Sequence, residues 1–199
     1  MARYKTKKNT KKGRVAAAML AIIASIVFMT VILMPRIKKT AASYSSEVES
    51  YDAVIREYAG QYGMSEYVDL IKAVMMQESK GKGPDPMQSS ESSYNLEYER
   101  VANGIKDPDY SIKCGIKYLK ESLDLAGCRD AKDLDAIKLA VQGYNYGHGY
   151  INWAMERDGG YTAENASIFS DNMAREMNWK RYGDKDYVPH VLRYYTYIS

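Results

Sequence analysis

Residues 15–34 read VAAAMLAIIASIVFMTVILM, a run with no charge in which Ser25 and Thr30 are the only polar residues. As a helix, twenty residues span roughly 30 Å, the thickness of a bilayer's hydrocarbon core. A cleaved signal peptide has a shorter apolar run followed closely by small residues. Here Pro35-Arg36-Ile37-Lys38-Lys39 separates the run from Ala41 and Ala42, so the segment reads as an uncleaved transmembrane signal anchor. Seven bases precede it in residues 1–14 and three follow in residues 36–39. That asymmetry places a basic cytoplasmic tail at 1–14, the span at 15–34, a linker at 35–45 and a domain at 46–199 on the extracytoplasmic face.

The charge balance confirms that the two ends of the chain are different objects. The formal net charge is +3, yet all 25 acids follow residue 46, against 18 remaining bases. The domain is therefore acidic by seven charges. A nucleic-acid-binding domain concentrates basic surplus on its folded surface, so that class is disfavoured. Only two histidines occur, which argues against a His-rich metal site, and no cofactor is expected.

Within the domain the periodicity is helical. A polar helix with a Val48/Tyr51/Ile55/Tyr58 stripe is predicted over 47–61. A second, capped by Ser65, runs to about Ser79 with Gly81 as its stop. GKGPDP at 81–86 is a break, and residues 88–103 are polar enough for one short helix at most. Asp107-Pro108 opens a long helix whose apolar face is Ile112, Ile116, Leu119, Leu123 and Ala126. Further helices follow at 133–145, 150–157, 162–177 and 187–197. The domain is read as all-α with one core. Cys114 and Cys128 fall at opposite ends of the long helix, roughly 20 Å apart by helical rise, against a disulfide limit of ~7 Å. Two free thiols are expected.

Glu78 ends the helix SEYVDLIKAVMMQES on the face defined by Ile71, Val74 and Met75. A desolvated carboxyl has a raised pKa and suits a general acid at neutral pH; an exposed helix-end glutamate is the alternative. The loop that follows supplies Asp85, Gln88, Ser89, Ser90 and Glu91, all able to hydrogen-bond hydroxyls. Eighteen of the 19 tyrosines lie in the domain and the end of its linker, from Tyr44 onward. Their flat faces suit sugar rings, although half-buried packing explains most of them.

Four segments now carry a resemblance: Met76-Gln77-Glu78-Ser79, Pro86-Met87-Gln88-Ser89, Gly143-Tyr144-Asn145-Tyr146-Gly147 and Tyr187-Val188-Pro189-His190-Val191-Leu192. In this order they resemble the motifs of the goose-type lysozyme and lytic transglycosylase superfamily. The Asp85-Pro86-Met87-Gln88 form is closer to the lysozyme-like domain of wall hydrolases from Gram-positive conjugative elements and to the pneumococcal vaccine antigen A group. The first group usually adds a C-terminal peptidase domain. The second is a membrane-anchored single domain, as this chain is read to be.

The resemblance implies a lysozyme-like fold and a muramidase acting on peptidoglycan at the bond from N-acetylmuramic acid to N-acetylglucosamine. It implies Glu78 as the general acid, Gln88 and Ser89 on the floor of a sugar cleft, Tyr144 and Asn145 holding the glycan, and Tyr187 hydrogen-bonding near Glu78. An inverting hydrolase needs a second carboxylate, for which Asp85 comes first and Glu91 second. Asp85-Pro86 stands where the transglycosylases have Gly-Leu. A lytic transglycosylase giving 1,6-anhydromuramic acid remains an alternative, as does a non-catalytic glycan-binding module of an envelope or conjugation complex.

Overall fold

The computed structural model describes residues 42–195, and their regular structure is helical throughout. The elements are α1 (Ser46–Ser50), α2 (Asp52–Gln61), a 3₁₀ turn (Ser65–Tyr67), α3 (Val68–Glu78), α4 (Pro108–Leu125), α5 (Leu134–Tyr146), α6 (Gly149–Asp158), α7 (Ala163–Glu176) and α8 (Tyr187–Leu192). The transmembrane segment expected at 15–34 lies outside the described residues. Among those described, no helix is long and apolar enough to cross a membrane.

Helix α3 is apolar nearly all round. Val68, Leu70, Ile71, Ala73, Val74, Met75 and Met76 are all buried, which is the signature of a central helix. It packs against α1, α2 and α8, while α5 packs against α4, α6 and α8. The short α8 therefore bridges the two halves of the bundle, and this brings the end of the chain to Glu78. Lys72, buried on α3, lies 2.8 Å from Glu49 and 2.5 Å from Asp52, tying α1 and α2 to the central helix.

Caps explain most of the boundaries. Ser45 accepts from the Val48 amide at the start of α1, and Asp107 from the Asp109 and Tyr110 amides ahead of Pro108 at the start of α4. Thr162 and Asn165 form a reciprocal capping box at α7. Three expectations are corrected. The helix over 47–61 is broken at Tyr51, whose amide closes the turn of α1 on Val48 and Glu49 before Asp52 restarts the helix. The stretch 88–103 contains no helix, and α8 stops at Leu192.

Two helix glycines permit close packing. A Cβ at Gly115 would come within 2.5 Å of the Met87 side chain, and one at Gly143 within 2.4 Å of Ile151. The first lets the loop after α3 plug Met87 onto α4; the second seats α6 against α5. Aromatic packing absorbs many tyrosines. Tyr146, Tyr150, Trp153, Phe169 and Tyr182 form a contiguous ring cluster, and the Tyr146 and Tyr150 hydroxyls bond to Ala166 and Asn165. Both cysteines are free: Cys114 is buried on α4, and Cys128 is half-buried beside the Tyr67 hydroxyl.

Candidate active site

Residues 79–107 form an irregular segment on which the site depends. Its turns begin at the end of α3, where Ser79 Oγ donates to Pro86 O at 2.7 Å. Asp85 sits at the centre, 1% exposed. Its Oδ1 accepts from the Ser89 amide at 2.9 Å and Ser111 Oγ at 2.6 Å. Its Oδ2 accepts from the Ser90 amide at 3.2 Å and Ser90 Oγ at 2.5 Å. Four donors occupy the four lone-pair sites of the carboxylate. Asp85 thereby stitches the loop to itself and, through Ser111, to α4. Ser111 lies 26 residues away and on no motif, so no local signal marks it.

Ser89, expected on a cleft floor, is instead buried, with its hydroxyl donating to Ser111 O at 2.9 Å. Gln88 is exposed and adopts φ +47°. A side chain in that left-handed region is strained. Its amide nitrogen compensates by donating to Asp85 O at 2.9 Å and Asn103 Oδ1 at 3.0 Å. Glu91 is exposed on the same loop. Tyr144 is buried on α5 and donates its hydroxyl to Met87 O at 2.8 Å, so it holds the loop rather than facing out of it. Its ring meets Tyr118 edge-on at 5.3 Å.

Glu78 ends α3 with its side chain partly open to solvent and otherwise enclosed. The Tyr187 hydroxyl, buried at the first residue of α8, donates to Glu78 Oε1. Desolvation pushes the Glu78 pKa up to about 7, opposed by the Tyr187 hydrogen bond and reinforced by the charges of Asp85 and Asp184. A carboxyl balanced near neutrality is protonated in a substantial fraction of molecules and able to give its proton away. Burial and the neighbouring Glu78 charge hold the Tyr187 and Tyr144 phenols well above their ordinary value, so both remain donors.

Asn145 acts one step removed from the acid. Its Oδ1 accepts the Asp184 amide at 2.7 Å, fixing the turn that leads into α8. Asp184 itself is a second carboxylate near Glu78 that the sequence reading passed over. His190 Nδ1 lies 2.7 Å from its Oδ2 and the Asp186 amide donates to its Oδ1 at 2.9 Å. The available signal was an acid three residues ahead of the Tyr-Val motif, in Gly183-Asp184-Lys185-Asp186-Tyr187. Thus Tyr187 holds Glu78 directly, and Asp184, on a turn braced by Asn145, adds its charge to the surroundings of Glu78. Asp85, Ser89 and Tyr144 hold the adjoining loop from behind. No group of three or more His, Cys, Asp or Glu residues is placed to hold a metal ion among the described residues.

The chain is similar to several known proteins. The family model described as lysozyme-like matches residues 45–196. The bifunctional muramidase/DL-endopeptidase CwlT of Bacillus subtilis is 42% identical over 148 residues, covering 74% of this chain and 41% of CwlT. The uncharacterized membrane protein YocA of B. subtilis is 37% identical over 179 residues, covering 85% of this chain and 76% of YocA. Pneumococcal vaccine antigen A of Streptococcus pneumoniae is 33% identical over 130 residues, covering 65% of this chain and 57% of that protein. A crystal structure of a lipoprotein-like member of the NLP/P60 family from Staphylococcus aureus superposes with a TM-score of 0.63 at 34% identity, over 79% of this chain and 55% of that one. The chain thus spans well under two thirds of CwlT and of the solved structure. Because the family model covers nearly all of the described residues, the chain belongs to the lysozyme-like family.

Proposed function

We propose that this chain is a membrane-anchored peptidoglycan muramidase, cutting the bond from N-acetylmuramic acid to N-acetylglucosamine with Glu78 as general acid. The observation that carries the reading is the Glu78 carboxyl, held by Tyr187 and raised to about 7 by burial. Departure of a sugar alkoxide without protonation is poor, and a proton delivered in the transition state contributes typically 10²–10⁴-fold. A glycan-binding module has no need of a carboxyl with a raised pKa. The muramidase activity named for CwlT supports the same substrate.

Asp85 takes a different role in this proposal from the one its sequence position suggested. With every lone pair bound to a protein donor, it has no site left for a water molecule, so it anchors the loop rather than acting as base. Gln88 and Glu91 are exposed on that loop, which supports assigning them to meet sugar hydroxyls. Residues 15–34 anchor the domain in this proposal, with 1–14 cytoplasmic and the domain outside; the similarity to a membrane protein supports a location at the membrane. Mass spectrometry of muropeptides released from purified wall tests the activity. Reducing muramic acid ends are expected. 1,6-Anhydro ends would make the protein a lytic transglycosylase, and wall binding without release would make it a glycan-binding module.

A further inference from the structure

Resting on Glu78 as the acid, we propose that Asp184 is the second carboxylate of the reaction, the base that takes a proton from the attacking water. Hydrolysis with inversion requires such a group across the sugar from the acid, with room for water between them. Asp85 and Asp184 are the carboxylates whose charges act on Glu78, Glu91 is the further acid of the loop, and their surroundings separate the three. Asp85 is sealed and fully bonded. Glu91 stands exposed on the irregular loop, and no hydrogen bond or ion pair among the described residues holds its carboxylate. Asp184 is both fixed and accessible.

Its backbone is held on both sides. The amide donates to Asn145 Oδ1, and the carbonyl accepts from Gln142 Nε2 at 3.1 Å and from the Tyr187 amide at 3.3 Å. Its side chain is 32% exposed, so water reaches it. Each carboxylate oxygen has one protein neighbour, the Asp186 amide at Oδ1 and His190 Nδ1 at Oδ2, which leaves a lone pair on each for water. The turn that holds Asp184 also launches Tyr187 onto Glu78, so one short segment sets both carboxyl groups. That Asp184 adds to the charges raising Glu78 is consistent with this closeness.

The chemistry balances without any other reagent. The C1–O4 bond of the muramic acid glycoside breaks while Glu78 gives its proton to O4. Water oxygen bonds to C1 from the opposite face and its proton passes to Asp184. Asp184 then releases that proton to solvent and Glu78 takes one up. One water is consumed per bond, and the β-linkage yields an α-anomer.

The test uses the full chain on purified peptidoglycan, with Glu78→Gln in parallel. NMR of the first product from the wild type is expected to show α-configured reducing muramic acid. Asp184→Asn is expected to lose at least ~100-fold in release, and azide is expected to restore turnover to Asp184→Ala, giving an α-glycosyl azide. The proposal is overturned by a β-anomer or a 1,6-anhydro product. It is also overturned by an Asp184→Asn variant keeping more than a tenth of wild-type activity, or by a folded Asp184→Ala that azide does not restore. Should neither variant fold, the wild-type anomer decides. Loss of activity in Glu78→Gln together with any of these results leaves the acid assignment standing. Full activity in Glu78→Gln removes the acid assignment itself.

Discussion

Glu78 and Asp85 lie seven residues apart in sequence, and both are carboxylates withdrawn from bulk water, yet they have opposite chemistry. Asp85 receives four hydrogen bonds, two from amides and two from serine hydroxyls. Those donors replace the water it lost and fill its lone-pair sites. Glu78 receives a hydrogen bond from Tyr187 and shares its surroundings with two further acids, so its charge is poorly supported and its proton is retained to about neutral pH. The difference teaches that burial alone does not nominate an acid. The supply of donors does: where donors are sufficient a carboxylate becomes part of the scaffold, and where they fall short it becomes a proton carrier.

The comparison is broken or sharpened by four substitutions. Glu78→Gln is expected to lose at least ~100-fold in wall-degrading rate while keeping its fold. Because the Glu78 pKa is raised in the folded state, its stabilising contribution is present below the ordinary carboxylate range and is lost as pH rises through about 7. The glutamine variant should therefore match the wild type in thermal midpoint near pH 5 and exceed it at pH 9. The free-energy gain at pH 9 would be up to about 3 kcal/mol at the full shift.

Asp85→Asn should behave in the reverse sense. An amide cannot accept all four donors, and leaving charged-group partners buried costs on the order of 2–4 kcal/mol. Denaturant unfolding should register that loss at every pH from 5 to 9, and rescue at low temperature should restore activity that the glutamine variant never regains. An equally inactive but fully stable Asp85→Asn would contradict its place in the scaffold. Gly115→Ala tests the same loop from α4, since the added methyl meets Met87; overpacking of this kind costs about 1–3 kcal/mol. Tyr187→Phe is the mildest. Removing the hydrogen bond that favours ionised Glu78 should move the falling limb of the kcat/KM profile upward by about one pH unit. A downward move would mean that Tyr187 supports the neutral acid instead.

The helices were legible because their signals are local. Asp107-Pro108, Thr162 and the spacing from Ile112 to Leu123 mark caps and faces within a few residues of one another. The loop was not legible, because its order comes from side-chain hydrogen bonds that follow no periodic spacing, some of them across long separations. Ser111 reaches back 26 residues to Asp85, and buried Asn95 holds Ser90 O and the Tyr98 amide with no periodic pattern to announce it. Glu78 stood out on the face of α3, whereas its partner Tyr187, 109 residues away, came only through motif order. Ser89 and Tyr144 were found by the same motifs, but the motifs did not say that these side chains turn inward to hold the loop. Asp184 was missed because one acid among several in a polar turn carries no periodic mark.

The most direct measurement is a carbon-13 NMR titration of the glutamate carboxyls in the intact protein, with the Glu78 resonance identified by its absence from Glu78→Gln. This resonance is expected to titrate at about 7, well apart from the remaining glutamates. A midpoint in the ordinary carboxylate range of roughly 4 to 5 would contradict the general-acid assignment and with it the proposed mechanism.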